Sequence, residues 1–291
     1  MENSAPNEGG LGPVVVGVDG SEHSDRAAVW AAAEAEARGR PLTVVHGVGA
    51  ERQGYWTPDE AEAVITGGGR LLDHVQSVVA ERYPGLPVAT TLSRSDPAAA
   101  LLEAGGAEDT LVVGSRGRGG FASLLLGSVS LRVAARSRGP VVVVRAVPED
   151  TTGTVVAAVR DDGDRETVRF AARTAARRGA VLRVVSVWRF LENVGSMGAV
   201  AVDIDAVARS EVEATRRTVG PIRAEFPDLT ITEDAVRSRS VAAALVDASA
   251  SADLLVMGAR RRAHVMGVGL GGVTHAVLHH AHCPVAVLPR R

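Results

Sequence analysis

The chain repeats itself once, and that repeat constrains its fold more than any other feature. Leu111-Val-Val-Gly-Ser-Arg-Gly-Arg118 returns as Leu255-Val-Met-Gly-Ala-Arg-Arg-Arg262. The offset is 258 − 114 = 144, and it persists at Gly127/Gly271, Val129/Val273 and Val133/Val277. Nearer the start, Arg38-Gly39 and Val44-Val45 match Arg178-Gly179 and Val184-Val185, at an offset of 178 − 38 = 140. Solenoid repeats are several times shorter, so this is a duplicated domain of ordinary size. It divides the chain into residues 1–147 and 154–291, with the polar stretch 148–153 as linker.

Each half alternates short apolar runs with helical patterns. Residues 14–19 form a continuous β-branched run, as a strand buried on both faces requires. Ser21 and Ser24 offer N-caps for a helix over 25–38, which Gly39 stops. Strands are expected at 42–48, 88–92, 110–113 and 141–145, with helices over 58–82, 97–107 and 128–137. The second half follows suit, with strands at 154–159, 181–187, 229–235, 254–257 and 285–288. Its helices are expected over 164–178, 200–226, 241–249 and 273–280. Strands that alternate with helices pair in parallel through right-handed crossovers. The fold class is therefore α/β: two doubly wound, Rossmann-like sheets in tandem, each of five parallel strands in the order 3-2-1-4-5.

Composition narrows the function. Hydrophobic residues make up 46% of the 291, enough for two cores, and the net charge of −2 gives no basic field for a nucleic-acid partner. The sequence contains no lysine. A Walker A loop and a lysine Schiff base are thereby excluded. A single cysteine, Cys283, rules out an internal disulfide and fits a reducing compartment. The first dozen residues are polar and acidic rather than signal-like, and the apolar runs are too short to span a bilayer. A cytoplasmic protein without membrane contact is expected.

In an open parallel sheet, ligands bind beyond the carboxyl ends of the strands where the winding reverses. Asp19 ends the first strand and Gly114-Ser-Arg-Gly117 ends the fourth, so both face that crevice. The loop reads Gly114-x2-Gly117-x9-Gly127-Ser128. Glycines admit a phosphate close to backbone N–H groups, and the helix opening at Gly127-Ser128 favours an anion. Ser128 is the expected N-cap, Ser130 falls in the first turn, and Arg116 adds positive charge.

These residues, with the upstream Val16-Gly17-Val18-Asp19, resemble the universal stress protein family in its ATP-binding branch. The resemblance covers nearly the whole chain, once per half. It implies that Gly17, Val18 and Asp19, joined by Gly47, contact the adenosine. It implies that Val113, Gly114, Arg116 and Gly117 line the ribose and phosphates, and that Gly127, Ser128, Val129 and Ser130 hold the phosphates. It further implies an internal pseudo-dimer through the last strands of the two halves, and a homodimer beyond that. Mg2+ would enter only with the nucleotide, since no dedicated protein ligand is visible. The second half departs from the pattern: Arg160 stands for Asp19, Arg261 for Gly117 and Gly272 for Ser128. Weak or no ATP binding is expected there.

ATP binding in stress or energy-state signalling is the main reading, with loops 50–57 and 190–199 as lids. A slow ATPase and a nucleotide-independent, chaperone-like protein are the rivals. Against catalysis, the loop supplies neither an evident general base nor paired metal-binding carboxylates. Two further motifs read as structural. Gly267-Val-Gly-Leu-Gly-Gly272 fits the dinucleotide pattern G-x-G-x-x-G but lies past the fourth strand, with no acid after it. His275, His279, His280 and His282 cluster near a helix end, where imidazoles suit the dipole; metal binding is the alternative.

Overall fold

A computed structural model describes residues 12–49, 57–117, 126–148, 150–188, 204–259, 262–264 and 267–290. Both expected lids, apart from Thr57, lie outside the described residues, as do Arg118, Arg260 and Arg261. The chain forms two compact units, Met1–Val142 and Val143–Arg291.

The first half runs β1 (Val14–Gly17), α1 (Glu22–Arg38), β2 (Leu42–Gly47), α2 (Pro58–Arg82) and β3 (Val88–Ser93). It continues through α3 (Pro97–Ala104), β4 (Thr110–Gly114), α4 (Ser128–Arg136) and β5 (Val141–Val144). The strand order is β3-β2-β1-β4-β5, with β1 paired in parallel to both β2 and β4. That is the expected doubly wound sheet. Val14, Val16, Leu42, Val44, Leu111 and Val112 are almost wholly buried within it. Each such side chain contributes roughly 1.5–3 kcal/mol of transfer free energy.

The second half repeats the order: β6 (Thr154–Val159), α5 (Arg165–Arg178), β7 (Val181–Trp188), α6 (Ile204–Glu225) and β8 (Ile231–Arg237). Then follow α7 (Val241–Ser249), β9 (Leu254–Ala259), the short strands β10 (Arg262–His264) and β11 (Gly267–Gly269), α8 (Gly272–His280) and β12 (Val285–Pro289). Its strand order is β12-β9-β6-β7-β8, again parallel. Residues 145–148 and 150–153 form neither helix nor strand.

Local chemistry sets the element ends. Ser21 caps α1, its side chain accepting from the Ser24 N–H. Gly39 and Gly179 end α1 and α5 in left-handed conformations, φ 60° and 61°, which a side chain would disfavour. Thr57 and Glu60 form a reciprocal capping box at α2. At α4 the N-cap is Gly127, not the expected Ser128, and no side chain caps the helix. Ser128 is already helical, because the Gly127 backbone is the extended residue (φ −75°, ψ 150°). β10 and β11, unforeseen from sequence, pair antiparallel across Arg262↔Gly269 and His264↔Gly267. Within the G-x-G-x-x-G segment, Gly267–Gly269 is therefore a strand paired with β10 and Gly272 opens α8, so it is not the turn of a first βαβ unit.

Candidate functional site

Because β1 and β4 are neighbours, their carboxyl ends open side by side. Asp19 follows β1 and the loop 114–117 follows β4. The Ser21 backbone N–H and hydroxyl donate to Asp19 Oδ1 at 3.1 and 2.7 Å. Asp19 Oδ2 faces Gly117 so closely that a Cβ on Gly117 would lie 2.3 Å from it. The two segments singled out from sequence thus meet, and Gly117 is glycine because a carboxylate occupies its side-chain space.

The loop is fastened to α4 at two points. The Gly127 N–H donates to the Ser115 carbonyl at 2.7 Å. The buried Ser130 hydroxyl donates to the Gly114 carbonyl at 2.6 Å. The first turn of α4 therefore sits against the glycine loop, and its N-cap, Gly127, has no side chain to bond the N–H groups there. Ser128 is exposed and Val129 half-exposed at that end, while Ser130 is buried. Such an end is a partial positive charge available to an anion. Arg116 is half-exposed beside it. His23 stands close by: burial first, then the charges of Arg26 and Arg116, hold its pKa below the ordinary imidazole value.

Gly17, Gly47 and Gly114 end β1, β2 and β4, and all three serve packing. A Cβ on Gly17 would fall 2.5 Å from Leu101, on Gly47 2.7 Å from the Pro97 backbone, and on Gly114 2.7 Å from the His23 carbonyl. Val18 and Val113 are 5% and 4% exposed, so their side chains belong to the core.

Two residues here escaped the sequence reading. Ser115, 1% exposed, has a hydroxyl without a hydrogen-bond partner among the described residues. A small polar residue between the two loop glycines was the available signal. His46 bonds the Val18 carbonyl through Nδ1 at 2.7 Å. No local signal marks that contact, because its partner is 28 residues away.

The second crevice is built differently. Arg160, in Asp19's place, directs its backbone N–H, Nε and Nη2 to Asp164 at 2.9, 3.3 and 3.2 Å, and Nη2 also to the Gly258 carbonyl at 3.0 Å. The Asp164 side chain is fully buried, and Arg290 Nη1 lies 3.7 Å from its Oδ2. Arg290, 7% exposed, also pairs with Asp161. The matching positions of the first half are Ser24, at the helical offset of 140, and Ala146, at the later offset of 144. Arg160, Asp164 and Arg290 thus form an ionic cluster at the ends of β6, β9 and β12 that the first half lacks.

The histidine cluster lies on α8. The His275 and His279 rings are 4.3 Å apart, tilted 31°. Burial, then the neighbouring His275 and His280, lower the pKa of His279. Cys283 is buried and its thiol is pushed up to about 12 by burial. No three His, Cys, Asp or Glu among the described residues are grouped to hold a metal. A hollow of about 420 Å3 on α2 is lined by Asp59, Glu62, Ala63, Thr66, Gly67 and Arg70, all exposed and on one helix. It belongs to neither crevice.

Two doubly wound domains, each with a loop and an uncapped helix at the reversal of its sheet, define a tandem protein of the Rossmann-like α/β class. The chain belongs to the Universal stress protein family, whose sequence model matches residues 11–145 and 151–289. Universal stress protein Rv2005c of Mycobacterium tuberculosis and Mb2028c of Mycobacterium bovis are each 35% identical over 291 residues, covering 94% of this chain and 96% of their own. Universal stress protein Rv2624c of M. tuberculosis is 27% identical, covering 95% and 96%. The crystal structure of a universal stress protein from Archaeoglobus fulgidus matches with a TM-score of 0.69 at 20% identity, covering 96% of this chain and 98% of that one. No described helix is long and apolar enough to cross a membrane.

Proposed function

We propose that the first half binds ATP in the crevice between Asp19 and the α4 N-terminus, and that occupancy serves stress or energy-state signalling in the cytoplasm rather than fast turnover. The observation that carries this is the contact of the Asp19 carboxylate with Gly117 in a loop stapled to an uncapped helix. A carboxylate there suits the hydroxyls of a ribose, which donate hydrogen bonds to it. The helix N–H groups suit phosphates, and so does Arg116, whose Cα lies 3.6 Å from where a Cβ on Gly127 would stand. The crevice thus has the acceptor and the donors that a nucleotide requires, in adjoining places.

Gly17, Val18, Asp19 and Gly47 would hold the adenosine end through backbone groups and the Asp19 carboxylate. Val113, Gly114, Arg116 and Gly117 would line the ribose and phosphates. Gly127, Ser128, Val129 and Ser130 would meet the phosphates through main-chain N–H groups, with the Ser128 hydroxyl added. The Ser130 hydroxyl is already committed to Gly114. The Ser115 hydroxyl, buried in the same loop and without a hydrogen-bond partner among the described residues, supports a polar ligand. Mg2+ would arrive with the triphosphate, and residues 148–153 would link the domains.

The second half takes up little or no nucleotide in this reading. Its Arg160–Asp164–Arg290 cluster satisfies charges at the place where the first half presents Asp19, and Arg160 cannot accept a hydrogen bond from a ribose hydroxyl. A thermal-shift series with ATP, ADP, AMP and cyclic AMP tests the proposal. ATP should raise the melting temperature in a saturable way; a melting temperature indifferent to all four contradicts it and favours the nucleotide-independent class.

A further inference from the structure

We infer that His46 is a positioning residue of the first crevice, acting through the Val18 carbonyl to fix the peptide that carries Asp19. The inference rests on the ATP-binding reading above and assigns His46 a part in it. A carbonyl only accepts, so the 2.7 Å contact requires a proton on His46 Nδ1. The Val18 N–H donates in turn to the Val45 carbonyl at 3.0 Å, one residue before His46. Val18 is therefore held by its N–H and its C=O from two successive residues of β2, just where β1 ends and the chain turns to Asp19.

The consequence follows from peptide geometry. A trans peptide is planar, with its C=O and the next N–H pointing in opposite directions. No described bond is cis. Binding the Val18 carbonyl to His46 thus turns the Asp19 N–H away from β2 and fixes the peptide that places the Asp19 Cα. The ring itself is held in place. Gly68 of α2 is buried, and a Cβ there would stand 2.6 Å from Leu92 and 3.1 Å from His46 Cδ2. The helix packs so closely on β2 that the imidazole has little room to swing.

The second half provides an internal comparison. At the offset of 140 the counterpart of His46 is Ser186, beside Val159 in the β6–β7 register. Ser186 is 5% exposed, and its hydroxyl has no partner among the described residues. The half that keeps the aspartate keeps the clamp, and the half with Arg160 has lost it.

The test uses the full chain with His46→Asn and His46→Leu, titrated calorimetrically with ATP and with adenosine. The Asn amide nitrogen can stand where Nδ1 stands and still donate; Leu fills similar volume without a donor. Melting temperature in the absence of ligand confirms that each variant is folded. His46→Leu should weaken ATP and adenosine alike, by about 10-fold or more, since the clamp acts at the base and ribose end. That factor corresponds to roughly 1.4 kcal/mol, within the range of a single hydrogen bond. His46→Asn should stay within about 3-fold of the natural chain. Unchanged affinity in folded His46→Leu, or an equal loss in His46→Asn, overturns the inference while leaving the ATP site intact. Failure of the natural chain to bind either ligand overturns the ATP reading, and this inference with it.

Discussion

Replacing Gly117 by arginine copies the second half's own residue into the first and puts a side chain where the Asp19 carboxylate already lies. Real Cβ atoms stay beyond 3.0 Å of their neighbours, and this one would fall 2.3 Å from Asp19 Oδ2. Either the carboxylate swings off Ser21 or the loop backs away from β1. The guanidinium would also sit beside Asp19 and pair with it. A ligand losing two charge-assisted hydrogen bonds gives up at least about 2.7 kcal/mol, or roughly 100-fold in affinity. With ATP at 100 times its Kd, binding stabilises the natural chain by RT ln(1 + [L]/Kd), about 2.7 kcal/mol. For a domain of this size that is roughly 8 °C in Tm. At the same ATP concentration the variant retains RT ln 2, about 0.4 kcal/mol, or roughly 1 °C. Gly117→Ala supplies the Cβ without the charge and should fall between. The assay is differential scanning fluorimetry with and without ATP, with the ligand-free Tm as the folding control. A Gly117→Arg chain that shifts as far as the natural one refutes the reasoning.

Other expectations follow from the same structure. Arg290→Ala should destabilise the second half by about 3 kcal/mol in urea unfolding, because it removes one of two cations beside a fully buried carboxylate; a loss under about 0.5 kcal/mol would show that Arg160 suffices. Cys283, with its thiol pushed up to about 12, should resist iodoacetamide in the native chain at pH 9 and react fully once unfolded. A raised thiol pKa stabilises fully below the unfolded value and loses that contribution as pH climbs toward 12, so ready native labelling at pH 9 would contradict the burial. His279 is shifted the other way, by burial and then His275 and His280. Its contribution is complete above the ordinary imidazole value and falls as pH drops through it, so His279→Gln should flatten the stability profile between about pH 7 and pH 5; an unchanged profile argues against it.

The repeat, the β-branched runs and the helix stops were legible because each is written in neighbouring residues. Val14 to Gly17 can hardly be anything but a buried strand, and Gly39 and Gly179 end matching helices in matching ways. Asp19 and the glycine loop could be placed together because strand order alone brings β1 beside β4. What stayed hidden depends on contacts between distant residues or on backbone detail. The Arg160–Asp164–Arg290 cluster joins residues more than a hundred positions apart, so Arg160 read only as a missing aspartate. His46 gains its meaning from the Val18 carbonyl. The shift of the α4 cap from Ser128 to Gly127 turns on one residue's dihedral angles, and the β10–β11 hairpin on a pairing that its glycines only permit.

The most direct measurement of the central claim is equilibrium dialysis of the full chain against radiolabelled ATP, carried to saturation. One ATP per chain in the natural protein, with that site lost in Asp19→Ala and retained in Arg160→Ala, is the predicted result. No saturable binding, two equivalent sites per chain, or one site that survives Asp19→Ala would contradict the account.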